Sequence, residues 1–327
     1  RMRNFLDHLD PRFPIFNAGM GGVAGAAMAS AVNAGGGVGV LACGAKPPHL
    51  IAPLVAEARR LTSRPLGGNI ILPMSDGADV EACFDSGLEI LVLFWGDPQP
   101  FVADAHKRGM FVLSQCGGPE DAVLAADAGV DGVIVQGTEA GGHVKAHAPL
   151  ASTLSDTVRV LGPLPVIAAG GITNGTEIQA ALSAGASAVT LGTRFLASPE
   201  SLATEDYKAR VLAAHASDTV LTKLFDLGWP DANHRVIRNK TYDDWEAAGK
   251  PATGSRPGEG DEVGVFGSGD DAISVPRYSV VPPSLGFEGD IEAVALYAGE
   301  SVEQVNKVES VAEIMATLIE ELRRAAA

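Results

Sequence analysis

Apolar residues along the chain are grouped in eight short runs that are rich in valine, isoleucine and leucine. Between them lie alanine-rich stretches, such as PHLIAPLVAEARRLTS and EDAVLAADAG, whose apolar positions recur at helical spacing. Short, nearly continuous apolar runs are typical of strands buried on both faces of a parallel sheet. We therefore predict eight strands, which begin at Pro14, Val38, Leu66, Ile90, Phe111, Gly132, Pro165 and Ala188.

The repeated alternation of strand and helix predicts an α/β fold, specifically a (β/α)₈ TIM barrel. An open doubly wound sheet is the alternative. Such a sheet would carry a GxGxxG turn after its first strand and an acidic residue about 20 positions later. The first turn here reads AGMGGVAG and lacks that acid at a suitable place, so the sequence favours the barrel.

After the eighth predicted strand the pattern changes to a helical stretch at 200–216 and then to a segment rich in glycine, proline and acidic residues. That segment is too long for a barrel loop and begins on the side where barrels build their active sites. We predict a barrel over 1–216, a small lid-like insertion over 217–280, and a return to the barrel over 281–327. Apolar residues at helical spacing predict a final helix packed on the barrel: Val311, Ile314, Met315, Leu318, Ile319 and Leu322.

Composition and charge narrow the class of partner. The chain has 40 acidic and 24 basic residues, and this excess of negative charge repels nucleic acid and anionic membranes. No uncharged apolar stretch has the length of a membrane span. Cys43, Cys83 and Cys116 lack metal-ligand spacing and suit reduced thiols. We expect a cytoplasmic protein that acts on a small molecule.

The peptide GTEAGGHVKAHAPL follows the sixth predicted strand, in the longest interval between two strands. In a barrel this loop lies on the functional face, next to Gln136 at the strand end. Gly141 and Gly142 would let the backbone approach a flat ligand and place His143 over it as a proton-transfer group. The alternative is an ordinary turn with a solvated histidine. His143 and His147 lack the intervening glutamate of HExxH, so we expect no metal site.

The seventh and eighth predicted strands both end in glycine, at Gly170 and Gly171 and at Gly192. Barrels that bind phosphate use the loops after these two strands, where bare backbone amides and a helix N-terminus meet the anion. The Thr193 hydroxyl would add a donor. This pattern predicts a phosphorylated cofactor, because ordinary turns do not require glycine at both strand ends.

Together these motifs resemble the nitronate monooxygenase family, formerly called 2-nitropropane dioxygenases. The motifs, in order, are NAGMGGVAG, GGNI, QGTEAGGH, AAGGI, TLGTRF and YAGESV. The resemblance implies a TIM barrel that holds FMN non-covalently and uses His143 as its active-site histidine. It places the following residues at the flavin: Met20, Gly21, Asn69, Gln136, Gly141, Gly142, Gly170, Gly171, Thr190, Leu191, Gly192, Thr193, Tyr297 and Ser301.

The implied activity is the oxidative denitrification of alkyl nitronates or nitroalkanes with O₂, which gives a carbonyl compound and nitrite. His143, with a pKa near its ordinary value, would remove the α-proton of a nitroalkane or hydrogen-bond the nitronate. The chain departs from the family at Asn17 to Met20, where Gln-Ala-Pro-Met is usual, and after His143, where Arg-Gly is usual.

Two other functions stay open. One is an NAD(P)H-dependent flavin reductase, because the FMN-dependent enoyl-acyl-carrier-protein reductases are also similar. The other is a barrel that binds a phosphorylated ligand without turnover.

Overall fold

The computed structural model describes residues 4–327, and its centre is a barrel of eight parallel strands. A ninth strand, β7, lies outside the barrel wall, in the loop after β6. The strands of this part of the chain are β1 (Ile15–Asn17), β2 (Gly39–Ala42), β3 (Leu66–Ile71), β4 (Ile90–Phe94), β5 (Phe111–Cys116), β6 (Gly132–Gln136), β7 (Gly142–His143), β8 (Val166–Ala169) and β9 (Ala188–Leu191).

The barrel strands follow one another in the order β1, β9, β8, β6, β5, β4, β3, β2. The eight predicted strands and the predicted barrel are therefore confirmed. Between β1 and β2 the backbone makes only the bridge Phe16–Val38. The Asn17 side chain completes this seam, since its amide accepts from Val40 N and donates to Val40 O, both at 2.8 Å.

Helices surround the barrel and connect its strands. They are α1 (Phe5–Leu9), α2 (Ala26–Ala34), α3 (Ile51–Leu61), α4 (Ala78–Phe84), α5 (Gln99–Lys107), α6 (Pro119–Asp127), α7 (Leu150–Leu161), α8 (Gly175–Ser183), α9 (Thr193–Leu196), α10 (Glu205–Ala213), α11 (Lys240–Ala247) and α12 (Val311–Ala325). The predicted C-terminal helix is confirmed as α12, which begins at a capping box between Ser310 and Glu313. It packs against α8 and α2, and its apolar stripe is buried there.

The barrel interior is filled, so the fold is a packed core with no pore through it. Side chains that alternate along the strands point inward, among them Phe16, Val92, Leu113 and Ile134. Helix α1 closes the amino end of the barrel with Phe5, which lies against the start of β6. Within the described barrel, space for a ligand is found at the carboxyl ends of the strands.

The segment after α10 forms two small antiparallel sheets with the strands β10 (Thr219–Thr222), β11 (His234–Ile237), β12 (Glu262–Phe266), β13 (Ile273–Pro276) and β14 (Phe287–Gly289). In the first sheet β11 lies between β10 and β7, so the insertion is paired with the loop that carries His143. The predicted boundaries of the insertion stay a prediction. Among residues 4–327, no helix has both the length and the apolar character needed to cross a bilayer.

Candidate active site

A cavity of about 350 Å³ opens at the carboxyl ends of the barrel strands. This size is within the usual range for sites that bind small molecules and cofactors. All the residues that the sequence nominated line it: Met20, Gly21, Asn69, Gln136, Gly141, Gly142, His143, Gly170, Gly171, Thr190, Leu191, Gly192, Thr193, Tyr297 and Ser301. The structure therefore brings the predicted site residues together in one cavity. Their individual roles stay predictions.

His143 lies on a strand and not in a free loop, because β7 pairs with β11 and places His143 opposite His234. Gln136 donates from Nε2 to the carbonyl oxygen of His143 at 3.0 Å. Arg235, the next residue of β11, donates to the carbonyl oxygen of Thr138 at 2.8 Å. The loop that carries the histidine is thus fixed at both ends by side chains.

The His143 imidazole is enclosed by aromatic rings. Trp229 of the insertion stacks on it with the ring centroids 3.9 Å apart and the planes 13° from parallel. His234 and Tyr297 lie at 5.1 and 5.5 Å between centroids. Burial, and to a smaller extent the neighbouring His234, lowers the pKa of His143 to about 2. The expectation of a near-ordinary pKa is therefore wrong, because apolar surroundings disfavour the imidazolium.

The neighbours of His143 are neutral as well. His234 donates from Nδ1 to the carbonyl oxygen of Ala232 and accepts from Phe225 N at Nε2, which fixes one neutral tautomer. Burial lowers the pKa of His234 to about 4 and raises the pKa of Tyr297 well above its ordinary value. Titration of these groups therefore does not place a charge beside His143 at neutral pH.

The two glycines before His143, Gly141 and Gly142, have different structural surroundings. A Cβ on Gly141 would lie 2.4 Å from Gly299 N, so this glycine permits close packing on the returning segment. Gly142 has φ +74°, a left-handed conformation that favours glycine, and has nothing within 4 Å of its Cβ position. Both glycines line the cavity, and their role at a ligand stays a prediction.

The glycine loops after β8 and β9 fit a phosphate group. Gly170 and Gly171 have φ of +102° and +73°, and a Cβ on Gly192 would meet only ordinary contacts, the closest at 3.5 Å. Thr193 Oγ1 accepts from Gly299 N at 3.0 Å and keeps its own hydrogen for another acceptor. These loops form a cradle of backbone with a hydroxyl donor at its edge.

The predicted helix N-terminus at α8 is not available to a phosphate. Glu177 accepts hydrogen bonds from the backbone amides of Thr173 and Asn174, and Glu321 accepts from Gly175. A carboxylate already occupies this end of the helix, and it would repel a dianion. The prediction that a phosphate binds at the N-terminus of α8 is therefore wrong. The hydrogen-bond donors that remain for a phosphate are in the glycine loops.

Gln136 supplies a second observation that suits a flat, polar cofactor. Its Oε1 is buried and accepts no hydrogen bond from the described residues. An unpaired buried acceptor costs about 1–3 kcal/mol, so a ligand N–H at this position would stabilise the site. The residues present therefore fit a phosphorylated cofactor with a planar, hydrogen-bonding ring.

The Asn17 to Met20 departure has a structural reason. A Cβ on Gly19 would lie far inside contact distance of Asn69 Cβ, and Asn69 Nδ2 donates to Gly19 O at 3.3 Å. Here Gly19, where proline is usual, lets Asn69 pack on the first loop. Met20 reaches the cavity beside Gly192, with its Sδ 3.5 Å from the Cβ position of that glycine.

Other candidates have structural roles. Arg194 forms a buried ion pair with Glu309 at 2.9 Å, so its charge is paired within the protein. Cys116 is buried outside the cavity lining. The short 3₁₀ helix of Glu300–Gln304, which contains Ser301, begins after Gly299 without a side-chain cap.

Trp229 and Lys46 are among the lining residues that the sequence did not predict. Trp229 comes from the insertion, and only its type, an isolated tryptophan in a polar segment, marks it in the sequence. Lys46 follows β2 and is preceded by Ala45, whose φ of +58° no sequence signal announces.

A parallel (β/α)₈ barrel with a cavity at its carboxyl end defines an enzyme of the TIM-barrel class. The family model "Nitronate monooxygenase" matches residues 3–91 and 78–321. The chain belongs to the nitronate monooxygenase family and is an oxidoreductase.

Individual relatives agree with this family. A nitronate monooxygenase of Pseudomonas aeruginosa is 30% identical, with 95% of this chain and 96% of that protein covered. An octahydro-indene-carboxyl-CoA dehydrogenase of Mycobacterium tuberculosis is 35% identical over 72% of this chain, and the match covers 66% of that protein.

Solved structures are similar over the whole chain. FabK from Thermotoga maritima superimposes with a TM-score of 0.80 at 25% identity, covering 100% of this chain and 98% of FabK. Nitroalkane oxidase from Streptomyces ansochromogenes gives a TM-score of 0.77 at 26% identity, covering 98% of each chain.

Proposed function

We propose that this protein binds FMN and oxidises alkyl nitronates with O₂ to a carbonyl compound and nitrite. The observation that carries the proposal is that the glycine cradle, Gln136 and His143 line one cavity in a member of this family. Bound FMN would supply the redox chemistry.

The proposed binding mode follows the polarity of the cavity. The loops at Gly171, Gly192 and Thr193 would hold the phosphate, and the unpaired Gln136 Oε1 would accept a hydrogen bond from the ring. Asn69 and Met20 line the cavity near the carboxyl ends of β3 and β1 and would flank the ring.

His143 acts in this proposal as a neutral hydrogen-bonding group. With a pKa of about 2 it is a weak base, whereas general bases work best with a pKa near the operating pH. A nitronate has already lost its α-proton and needs no base. The buried imidazole therefore favours the nitronate over the neutral nitroalkane as the substrate.

A second candidate is an oxidoreductase that acts on a thioester. The carboxyl-CoA dehydrogenase of Mycobacterium tuberculosis, at 35% identity, favours it, although the match covers only 66% of that protein. The NAD(P)H-dependent flavin reductase considered from the sequence would also belong to this second group of reactions.

An anaerobic spectral experiment separates these functions. The flavin-loaded protein is mixed without oxygen with propyl-2-nitronate and, in separate samples, with NADH and NADPH. We expect the flavin absorbance to bleach with the nitronate and to recover when oxygen is admitted with release of nitrite. Bleaching by a nicotinamide alone would support the reductase, and a protein that takes up no flavin would contradict both candidates.

A further inference from the structure

We propose that Lys46 binds the anionic group of the substrate and selects apolar compounds that carry one negative charge. This inference rests on the proposed function, in which the substrate enters the cavity described above. It adds a specificity-determining residue to that site.

Lys46 is the only residue with a formal charge among the described residues that line the cavity. No aspartate or glutamate lines it, and His143 is kept neutral by burial. The chain as a whole carries a net charge of −16, so the positive charge of Lys46 in this cavity is opposite in sign to the net charge of the protein. An anion that reaches the cavity meets one ammonium group and no carboxylate.

Lys46 also lacks an internal partner. It forms no ion pair and no hydrogen bond with any residue in the part of the chain that the structure describes. Every other lysine there lies within 4.0 Å of a carboxylate. Because the ammonium group of Lys46 is not neutralised by the protein, its charge is available to a ligand.

The backbone holds Lys46 at the cavity. Gly44 N donates to the carbonyl oxygen of Asn69 at 2.7 Å, which ties this loop to a cavity residue on β3. Ala45 has φ +58°, a conformation that costs about 1 kcal/mol for a residue with a side chain. Pro47 and Pro48 follow and restrict the chain further. A strained residue between a fixed glycine and two prolines restricts the backbone at Lys46.

The surface beside Lys46 is apolar. Gly44 packs against Ile71, with its Cβ position 2.9 Å from Ile71 N. Ile71 belongs to a cluster with Phe94, Trp229 and Val280, and all four line the cavity. We call these four residues the apolar wall. A substrate that satisfies both features has an apolar body against the wall and an anionic group at Lys46.

The lysine is separated from the predicted phosphate cradle by a strand. Lys46 follows β2, the cradle follows β8 and β9, and β1 lies between β2 and β9 in the barrel. Because β2 is the neighbour of β3, which ends at Ile71, the charge lies on the side of the apolar wall, where we place the substrate. A planar carboxylate shares its charge over two oxygens, as a nitronate does, and can report on this contact.

The test compares the binding of hexanoate and of neutral hexanamide by isothermal titration calorimetry. The flavin-loaded parent is compared with Lys46→Met, Lys46→Arg and the control Lys107→Met, which removes one exposed charge outside the cavity lining. We expect Lys46→Met to weaken hexanoate binding roughly 10- to 100-fold and hexanamide binding by less than about 2-fold. Lys46→Arg should retain most of the preference for the anion, and Lys107→Met should behave as the parent.

Equal weakening of both ligands by Lys46→Met, or no change for hexanoate, would overturn the inference, as would a parent that does not bind hexanoate. Neither ligand is a nitronate, so the binding result is independent of turnover. A protein that binds hexanoate through Lys46 but does not oxidise nitronates would contradict the proposed function alone.

Discussion

At the scale of the residue, burial decides what His143 can do. A solvated histidine changes its charge near pH 6.5, and this makes it a versatile acid or base. Here Trp229 covers one face of the ring, and the protonated form is disfavoured until the pH falls to about 2. The residue type is visible in the sequence, but its protonation behaviour depends on a tryptophan far along the chain.

His143→Phe tests this role, because it removes both ring nitrogens and keeps an aromatic ring against Trp229. We expect kcat/KM for a pre-formed nitronate to fall about 10- to 100-fold, the size of a lost hydrogen bond to a charged group. His143 is neutral at every pH above its pKa of about 2. The parent should therefore show no inflection near pH 6.5 in kcat/KM.

Steady-state assays with the nitronate and with the neutral nitroalkane at matched pH check this expectation. FMN content is measured in each preparation, and His147→Ala serves as a control outside the cavity lining. A loss confined to the neutral nitroalkane would instead assign proton removal to His143.

At the scale of the element, the glycines at the strand ends divide into two kinds. Gly171 has a left-handed φ, so any side chain strains the backbone there. Gly192 has φ −109°, and its Cβ position meets only ordinary contacts, so the fold itself does not require glycine. A glycine that folding does not need points to a ligand that lies close to the backbone.

Gly192→Ala separates folding from cofactor binding. We expect the apoprotein to keep its Tm within about 2 °C, because the added methyl group meets only ordinary contacts, the closest at 3.5 Å. FMN affinity should fall at least about tenfold, as the methyl group displaces the phosphate. Fluorescence titration of FMN measures the affinity, and an unchanged dissociation constant would contradict this cradle.

The sequence alone predicts the elements whose residue pattern lies within one short stretch of the chain. The eight barrel strands and α12 follow from apolar spacing, because each pattern lies within a few consecutive residues. The pairing of β7 with β11 was not predictable, since it joins His143 to a segment about ninety residues later. The capped N-terminus of α8 was also missed, although Asn174 and Glu177 form a local capping box; only the bond from Gly175 N to Glu321 joins distant parts of the sequence.

At the scale of the whole molecule, the insertion and the barrel build the cavity together. Trp229 and Val280 close the apolar wall, and β11 fixes the loop that carries His143. We propose that residues 217–280 act as the lid of the site. Substrate selection would then depend on two features with separate origins, the lysine after β2 and the wall completed by the insertion.

The seam between β1 and β2, which Asn17 completes, has few hydrogen bonds. We expect the amide hydrogens of the barrel to exchange first at this seam. Only one side chain bridges β1 to Val40, whereas β3 and β4 are joined in register over five residue pairs. We expect residues 38–42 to take up deuterium faster than residues 90–94, as measured by mass spectrometry of peptic peptides. Asn17→Ala should widen that difference and lower the free energy of unfolding by about 2–4 kcal/mol, because both polar groups of Val40 lose their partner. Uniform protection around the barrel would contradict a weak seam.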